Sequence, residues 1–374
     1  IRTSDSSLVN LRASAILALG LFAERQDEIV AFLYKQLADS GMDRSTCAQI
    51  PIALSRLGKA AQPTLPKLLA LLRARRTDIR LQESCVIALG RLTEPADAAV
   101  LEALYETIQY GKNPQARHFA FEALARIGAR AARDPRAYDA ELKQMLRFLR
   151  QELNRPKIRP HSPWASLALA ELGREYPETS GDRVESTLEI IERFERSDNP
   201  SYKSAYAISL GLLEARNAGD ILYQELLDTP NPNLRGYLAV ALGMLRHTEA
   251  LPILRQMVLD SRDPRAQLQC ATALGLMEDT EALPLLLDAL RQARTLGVIS
   301  SLARAIGKLG DRSAIPTLKG MIEDESLNGL SRAYCCVALG LISQKTGSSW
   351  TARITDGVNY RTALPFLYEI MDMP

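Results

Sequence analysis

Histidine, tryptophan and cysteine are scarce in this chain, and their placing excludes most site chemistry. The three histidines, His118, His161 and His247, lie far apart, and none is paired at the four-residue spacing that puts two ligands on one helix face. There is no Cys-x-x-Cys, and Cys335-Cys336 is a vicinal pair poorly suited to zinc. No glycine-rich phosphate loop and no Gly-x-Ser-x-Gly elbow occurs. The sequence therefore predicts no catalytic, metal or cofactor residues. No run of about 18 apolar residues exists, so no membrane-spanning helix is expected. Glycine (21) and proline (19) are modest in number, which argues against long disordered stretches. The five cysteines (Cys47, Cys85, Cys270, Cys335, Cys336) are odd in number and scattered, against a disulfide framework. They are expected to be free, core-filling thiols, slow to react until the chain is denatured. That favours a reducing, cytoplasmic compartment, although any targeting segment would lie ahead of Ile1.

What is present is periodicity. Ala-Leu-Gly recurs at 18–20, 88–90, 241–243, 273–275 and 338–340, with variants at 53–55, 123–125, 168–170, 209–211 and 305–307. The third positions are 20, 55, 90, 125, 170, 211, 243, 275, 307 and 340. The period is thus about 35 in the first half and about 32 in the second, which reads as ten stacked helical units. The middle position is always Leu or Ile. Two residues after the third comes a large apolar side chain, from Phe22 and Leu57 to Leu309 and Ile342. A spacing of three puts both on one helix face, the one expected to be buried. The small residues fit a close crossing with a neighbouring helix. Twelve residues upstream lie helix N-caps: Asp43, Asp78, Asn113, Asn199, Asn231, Asp263 and Asn328. Pro252, Pro284 and Pro316, 32 apart, mark the start of a second helix in each unit. Nothing alternates with the period of a half-buried strand.

The pattern Arg-x-x-x-Ala-x-Ala-Leu-Gly-x-Leu, almost whole in Arg235–Leu245 and Arg332–Ile342, resembles the short HEAT-like repeat of the phycobilisome-lyase type. The resemblance runs over residues 5–374. It implies an all-α, α/α superhelical solenoid of about ten helix pairs whose second helices line the concave surface. It says little about activity, because scaffolds, chaperone-like factors and a few enzymes share the fold. HEAT-type hydroxylases hold two irons through His-Glu motifs, and this chain has no His-Glu dipeptide.

The repeat is broken twice. Pro156, Pro160 and Pro163 interrupt it at 154–163, which divides the chain into an N-terminal array, 1–153, and a C-terminal array, 164–374. A long helix over 137–153, with Leu142, Met145, Leu146, Leu149 and Leu153 on one face, precedes the break, and Trp164 and Leu167 are expected to resume a buried pattern after it. In the last repeat, residues 344–361 are an insertion carrying Trp350, Arg353, Tyr360 and Arg361. It reads either as an end cap or as a binding loop.

The net charge of +2 hides an asymmetry. Residues 1–160 hold 25 Lys and Arg against 17 Asp and Glu; the remainder holds 21 against 27. Residues 112–159 alone carry twelve basic and five acidic side chains. Such a run is either a solvated helix face or a surface for an acidic partner. Nucleic acid is the weaker expectation, because the aromatics there, Phe119, Phe121, Tyr138 and Phe148, fall mostly at core spacing. Arg12, Arg117, Arg235 and Arg332 share one repeat column and are assigned to packing and pairing with adjacent loops. The sequence is read as a protein-binding scaffold without catalytic activity or cofactor, its partner unidentified. A bilin lyase subunit and a nucleic-acid binder are the alternatives. The candidate partner-binding residues are Arg147, Arg150, Arg155, Lys157, Arg159, Trp350, Arg353, Tyr360 and Arg361.

Overall fold

The computed structural model describes residues 6–37, 41–74, 76–155, 161–177, 180–260, 264–279, 281–293 and 295–343. Among these residues every regular element is helical. They form two compact units, one up to Tyr176 and one from Pro177 onward. The sequence reading set its boundary at 154–163; residues 156–160 of that stretch, like Asp263 and the insertion at 344–361, lie outside the described residues.

The first unit holds nine α-helices: α1 (Ser6–Leu19), α2 (Gln26–Leu37), α3 (Arg44–Arg56), α4 (Leu65–Arg73), α5 (Ile79–Leu92), α6 (Ala98–Tyr110), α7 (Pro114–Ala131), α8 (Asp139–Asn154) and α9 (Ser162–Gly173). The odd-numbered helices, which carry the Ala-Leu-Gly columns, stack one on the next. The even-numbered helices form a second layer, each lying against the odd helix that follows it. The second unit repeats the plan with α10 (Gly181–Arg196), α11 (Pro200–Leu212), α12 (Gly219–Asp228), α13 (Pro232–Leu245), α14 (Leu251–Asp260), α15 (Pro264–Leu276), α16 (Ala282–Gln292), α17 (Leu296–Leu309), α18 (Ile315–Glu323) and α19 (Gly329–Ser343).

The repeat columns account for this stacking. A Cβ added to Gly90 would lie 2.6 Å from Cα of Ala123, and one on Gly243 would lie 2.6 Å from Cα of Ala273. The third residue of one tripeptide therefore meets the first residue of the next, and both must be small for the helices to close. The expected caps form. Asp43 accepts from Thr46 N at 2.8 Å, Asn113 from Gln115 N at 3.0 Å, Asn231 from Leu234 N at 3.0 Å and Asn328 from Ser331 N at 2.8 Å. Each such cap contributes about 1 kcal/mol.

The column eight residues before the third position ties the layers together. Gln82, Ser162, Gln267 and Arg332 each donate a side-chain hydrogen bond to a carbonyl at the end of the preceding even helix: Ala74, Leu153, Val258 and Ile322. This is the pairing assigned to the arginine column, and Arg332 performs it at 2.6 Å.

Some expectations fail, chiefly at the ends of the stacks. Phe22 is 58% exposed although its column is otherwise buried or half-buried. α1 stops at Leu19 and no repeat precedes it among the described residues, so nothing covers that side chain. Cys336 is exposed and Cys47 half-buried, while Cys85, Cys270 and Cys335 are buried; all five are free. Cys336 lies on the side of α19 where the next repeat would sit, which is why it escapes the core. The face of α8 is buried as expected. Trp164 and Leu167 are only half-buried, because Pro163, Ala165, Ser166, Ala168 and Leu169 take the core side of α9.

Candidate functional site

The basic run of 112–159 lies on α7 and α8 and on the turns beside them, and much of its charge serves the fold. Arg130 reaches back from α7 and donates to the carbonyls of Gly90 (2.8 Å) and Thr93 (2.7 Å). Burial pulls its pKa below the ordinary arginine value. Arg126 pairs with Glu122 at 3.0 Å, Arg133 with Glu175 at 3.6 Å and Lys143 with Asp139 at 2.8 Å. What reaches solvent is a narrower set. Because Leu142, Met145, Leu146, Leu149 and Leu153 face the core, α8 turns Lys143 and Arg147 outward. Arg147 anchors only its Nε, 3.2 Å from the carbonyl of Lys143.

The basic candidate residues thus part ways. Arg147 is exposed and Arg150 half-buried. Arg155, at the end of α8, is exposed and holds Glu152 with Nη1 2.9 Å from Oε1. Lys157 and Arg159 lie outside the described residues, as do Trp350, Arg353, Tyr360 and Arg361.

Beside this face is a cluster that the sequence reading did not find. Glu152 is buried, and its second oxygen, Oε2, lies 2.8 Å from Nδ1 of His161. His161 is itself buried, edge-on to Phe121 with ring centroids 5.6 Å apart. The carboxylate is thus held between the Arg155 guanidinium and the His161 imidazole, which offset the cost of burying its charge. One helix over, His118 of α7 stacks on Trp164 of α9, centroids 4.2 Å apart and planes 14° from parallel. Both rings are half-buried. Burial, then Arg117 and His161, push the pKa of His118 down to about 4. At neutral pH it is an uncharged, flat surface against the indole.

The signal for this pairing was in the register. His118 stands seven residues before its third position and Trp164 six before its own. The same two columns meet between Gly236 and Gln269, where an added Cβ would lie against the amide. Three histidines read as scattered along the chain therefore include two brought within one cluster.

The nearby hydroxyls are committed to backbone: Ser162 Oγ donates to Leu153 O at 2.8 Å and Ser166 Oγ to Pro163 O at 2.7 Å. Neither is offered to His161 as a nucleophile. Among the described residues no group of three or more His, Cys, Asp or Glu is placed to hold a metal ion, and no helix is long and apolar enough to cross a membrane.

Comparison with known proteins finds HEAT repeats in part of the chain. The model of the HEAT repeats matches residues 187–267, 219–299 and 254–340. No curated protein sequence gives a significant match. Among solved structures, the complex of CpcE and CpcF of phycocyanin lyase from Nostoc sp. PCC7120 is similar, with 18% identity over 75% of this chain and 94% of that one and a TM-score of 0.42. Human deoxyhypusine hydroxylase in complex with glycerol shares 19% identity over 85% of this chain and 97% of that one, with a TM-score of 0.31. Kap121p bound to Nup53p shares 13% over 91% of this chain and 48% of that one, with a TM-score of 0.45. At these identities nothing of their activities or partners passes to this chain. The repeats matched over 187–340, the small-residue columns and the stacked helix pairs together show an all-α fold of HEAT-like repeats.

Proposed function

We propose that this chain is a protein-binding scaffold, without catalytic activity of its own, that takes an acidic segment of a partner across α7, α8 and α9. The observation that carries this reading is the half-buried His118–Trp164 stack on α7 and α9, with exposed arginines, Arg147 and Arg155, on and at the end of the intervening α8. Tryptophan and arginine are enriched in binding hot spots, tryptophan by burying much area with few torsions to freeze and arginine by its planar fork of donors. A partly exposed indole stacked on a neutral imidazole offers a rigid apolar platform. The guanidinium of Arg147 supplies directional donors to a carboxylate.

The test is affinity capture from extract of the native cell with three baits: the wild-type chain, Trp164→Ala and Arg147→Glu. Both variants should lose the same protein partner, Arg147→Glu most at low salt, with melting temperatures close to wild type. Capture sensitive to nuclease treatment would assign the basic face to nucleic acid instead. A visible absorbance band in the purified native protein would point to a bound tetrapyrrole. Identical capture by all three baits would remove this surface from consideration.

A further inference from the structure

One seat recurs between successive repeats of the second unit, formed by the residue twelve past one third position and the residues four and six past the next. Tyr223 fills it first, its ring centroid 5.6 Å from that of His247. In the following repeat Arg255 fills it: Nε donates to Oδ2 of Asp279 at 2.7 Å, while Nη2 and Nη1 reach Asp279 Oδ1 and Glu281 Oε2. One repeat further, the same three places hold Leu287, Asp311 and Ser313. Leucine has no donor for the carboxylate, and here the seat is open: a cavity of about 310 Å³ whose walls include these three residues with Leu283, Asp288 and Arg291. Asp311 keeps the posture of Asp279. Each accepts through Oδ1 from the backbone N–H two residues on, from Ser313 at 2.9 Å and from Glu281 at 3.4 Å. Ser313 Oγ also donates to Asp311 Oδ1, at 2.9 Å. Asp279 goes on to hold Arg255, whereas Asp311 is in no ion pair among the described residues. The guanidinium that borders the cavity is committed elsewhere: Arg291 has Nη1 2.9 Å from Asp288 Oδ1 and Nη2 3.1 Å from Thr317 Oγ1. Asp288 and Arg291 offset each other, so the charge of Asp311 is the one left unbalanced.

We propose that this cavity is a socket for a guanidinium: an arginine side chain of a partner protein enters beside α16 and pairs with Asp311 as Arg255 pairs with Asp279 within the chain. The neighbouring seat defines the occupant, because there the same carboxylate position is met by arginine. Leu283 and Leu287 offer apolar surface to the methylene stem of an arginine. Its planar fork of donors matches a carboxylate better than the point charge of a lysine ammonium does. The volume stands at the lower end of the range for small-ligand sites, room for one side chain rather than an extended segment. The socket lies on other helices than the surface assigned to an acidic segment and is opposite in sign, so either can stand without the other.

The experiment uses the full chain with its leucine methyl groups labelled for NMR, and N-acetyl-arginine amide as the probe. The Leu283 and Leu287 methyls should shift saturably with the probe. N-acetyl-lysine amide should bind several-fold more weakly, and the neutral citrulline analogue not at all. Asp311→Asn keeps the backbone cap, since asparagine accepts from an N–H as well as aspartate does, and should abolish the shifts. Leu287→Arg should fill the socket from within, as Arg255 does one repeat earlier, and exclude the probe; if that variant does not fold, Asp311→Asn decides alone. The absence of a saturable shift at Leu283 and Leu287 overturns the proposal. So does equal binding of the citrulline analogue, which would make the cavity a general apolar recess, or of the lysine analogue, which would make charge alone the criterion. Shifts that survive Asp311→Asn, or a folded Leu287→Arg chain that still binds the probe, overturn it as well.

Discussion

The same substitution, made at two positions of one repeat column, should change stability in opposite directions. Gly243 and Gly340 are both third residues of Ala-Leu-Gly, both inside helices. In a helix interior alanine is favoured over glycine by about 1 kcal/mol, because glycine has more backbone freedom to lose. At Gly340 an added Cβ meets nothing within 4 Å, so Gly340→Ala should stabilise the chain by about 0.5–1 kcal/mol. At Gly243 the Cβ would stand 2.6 Å from Cα, 2.9 Å from Cβ and 3.0 Å from the carbonyl oxygen of Ala273. Carbon atoms prefer about 3.5–4.0 Å, so α13 and α15 would have to part by about 1 Å. No flexible side chain stands there to swing aside. Overpacking of this kind costs about 1–3 kcal/mol, and at Gly243 the upper end applies. After the gain in helix propensity, Gly243→Ala should lose about 1–2 kcal/mol, about 1.5–3 kcal/mol below Gly340→Ala.

The assay is urea unfolding at low protein concentration, read by circular dichroism together with hydrogen exchange. A repeat stack need not unfold in one step, so a global midpoint alone can hide a local loss. Exchange of the α13 and α15 amides should quicken in Gly243→Ala while that of α5 and α7 is unchanged. If Gly243→Ala unfolds at the wild-type urea concentration with unchanged exchange, the helices do not cross as closely as the columns require, and close crossing does not explain the Ala-Leu-Gly repeat.

Cys336 should react with a thiol reagent at once, while Cys85, Cys270 and Cys335 should wait for denaturant; early labelling of Cys270 would contradict its burial. Burial raises the Cys270 thiol from 9.0 to about 12, so its contribution is full below pH 9 and falls as pH rises toward 12. Urea midpoints that are flat over that range, or unchanged in slope by Cys270→Ala, would refute this. His118 should titrate near pH 4, against 6.5 for a free imidazole. The unfolded chain then holds the proton preferentially between those values. Stability is full above about 6.5 and declines as pH falls toward 4; an imidazole that titrates above 6 by NMR would contradict its burial against the indole. Glu214, Arg246 and Glu278 stand three residues past their third positions with φ of 53°, 52° and 56°, where the next repeat has Gly310 at 70°. Glu214→Gly should therefore raise the stability by up to about 1 kcal/mol, and a lower midpoint would show that the left-handed cap carries no strain.

The fold was legible because each column states a contact made over and over. A small residue at 20, 90 or 243 is small for one reason, and Asp43, Asn113 and Asn231 cap for one reason, so repetition turned a weak local signal into a strong one. The same logic fails where a column has no neighbour. Phe22 and Cys336 have the residue types of buried positions and are exposed, since periodicity says what a position does between two helices and not whether the second helix is there. The basic run was legible only in part, for a different reason. Counting charge along 112–159 sees Arg130 and Arg133 but not their partners, the carbonyls of Gly90 and Thr93 and the carboxylate of Glu175, which lie about 40 residues away in sequence.

The His118–Trp164 stack was within reach and missed, and the reason bears on how such chains carry function. One repeat's pattern gives the face a residue lies on. It does not give the offset between successive helices, which decides what that residue meets. Once Gly20 is set against Ala53 and Gly90 against Ala123, the offset is fixed, and the column seven before one third position falls beside the column six before the next. Other repeats fill those columns mostly with alanine, serine, glutamine or tyrosine. Where histidine and tryptophan stand there instead, the departure from the repeat is the information. In a chain whose architecture needs only small, apolar and capping residues at fixed spacing, a function is best sought at positions the architecture does not explain. His118 and Trp164, stacked on each other, and the exposed Arg147 and Arg155 meet that description.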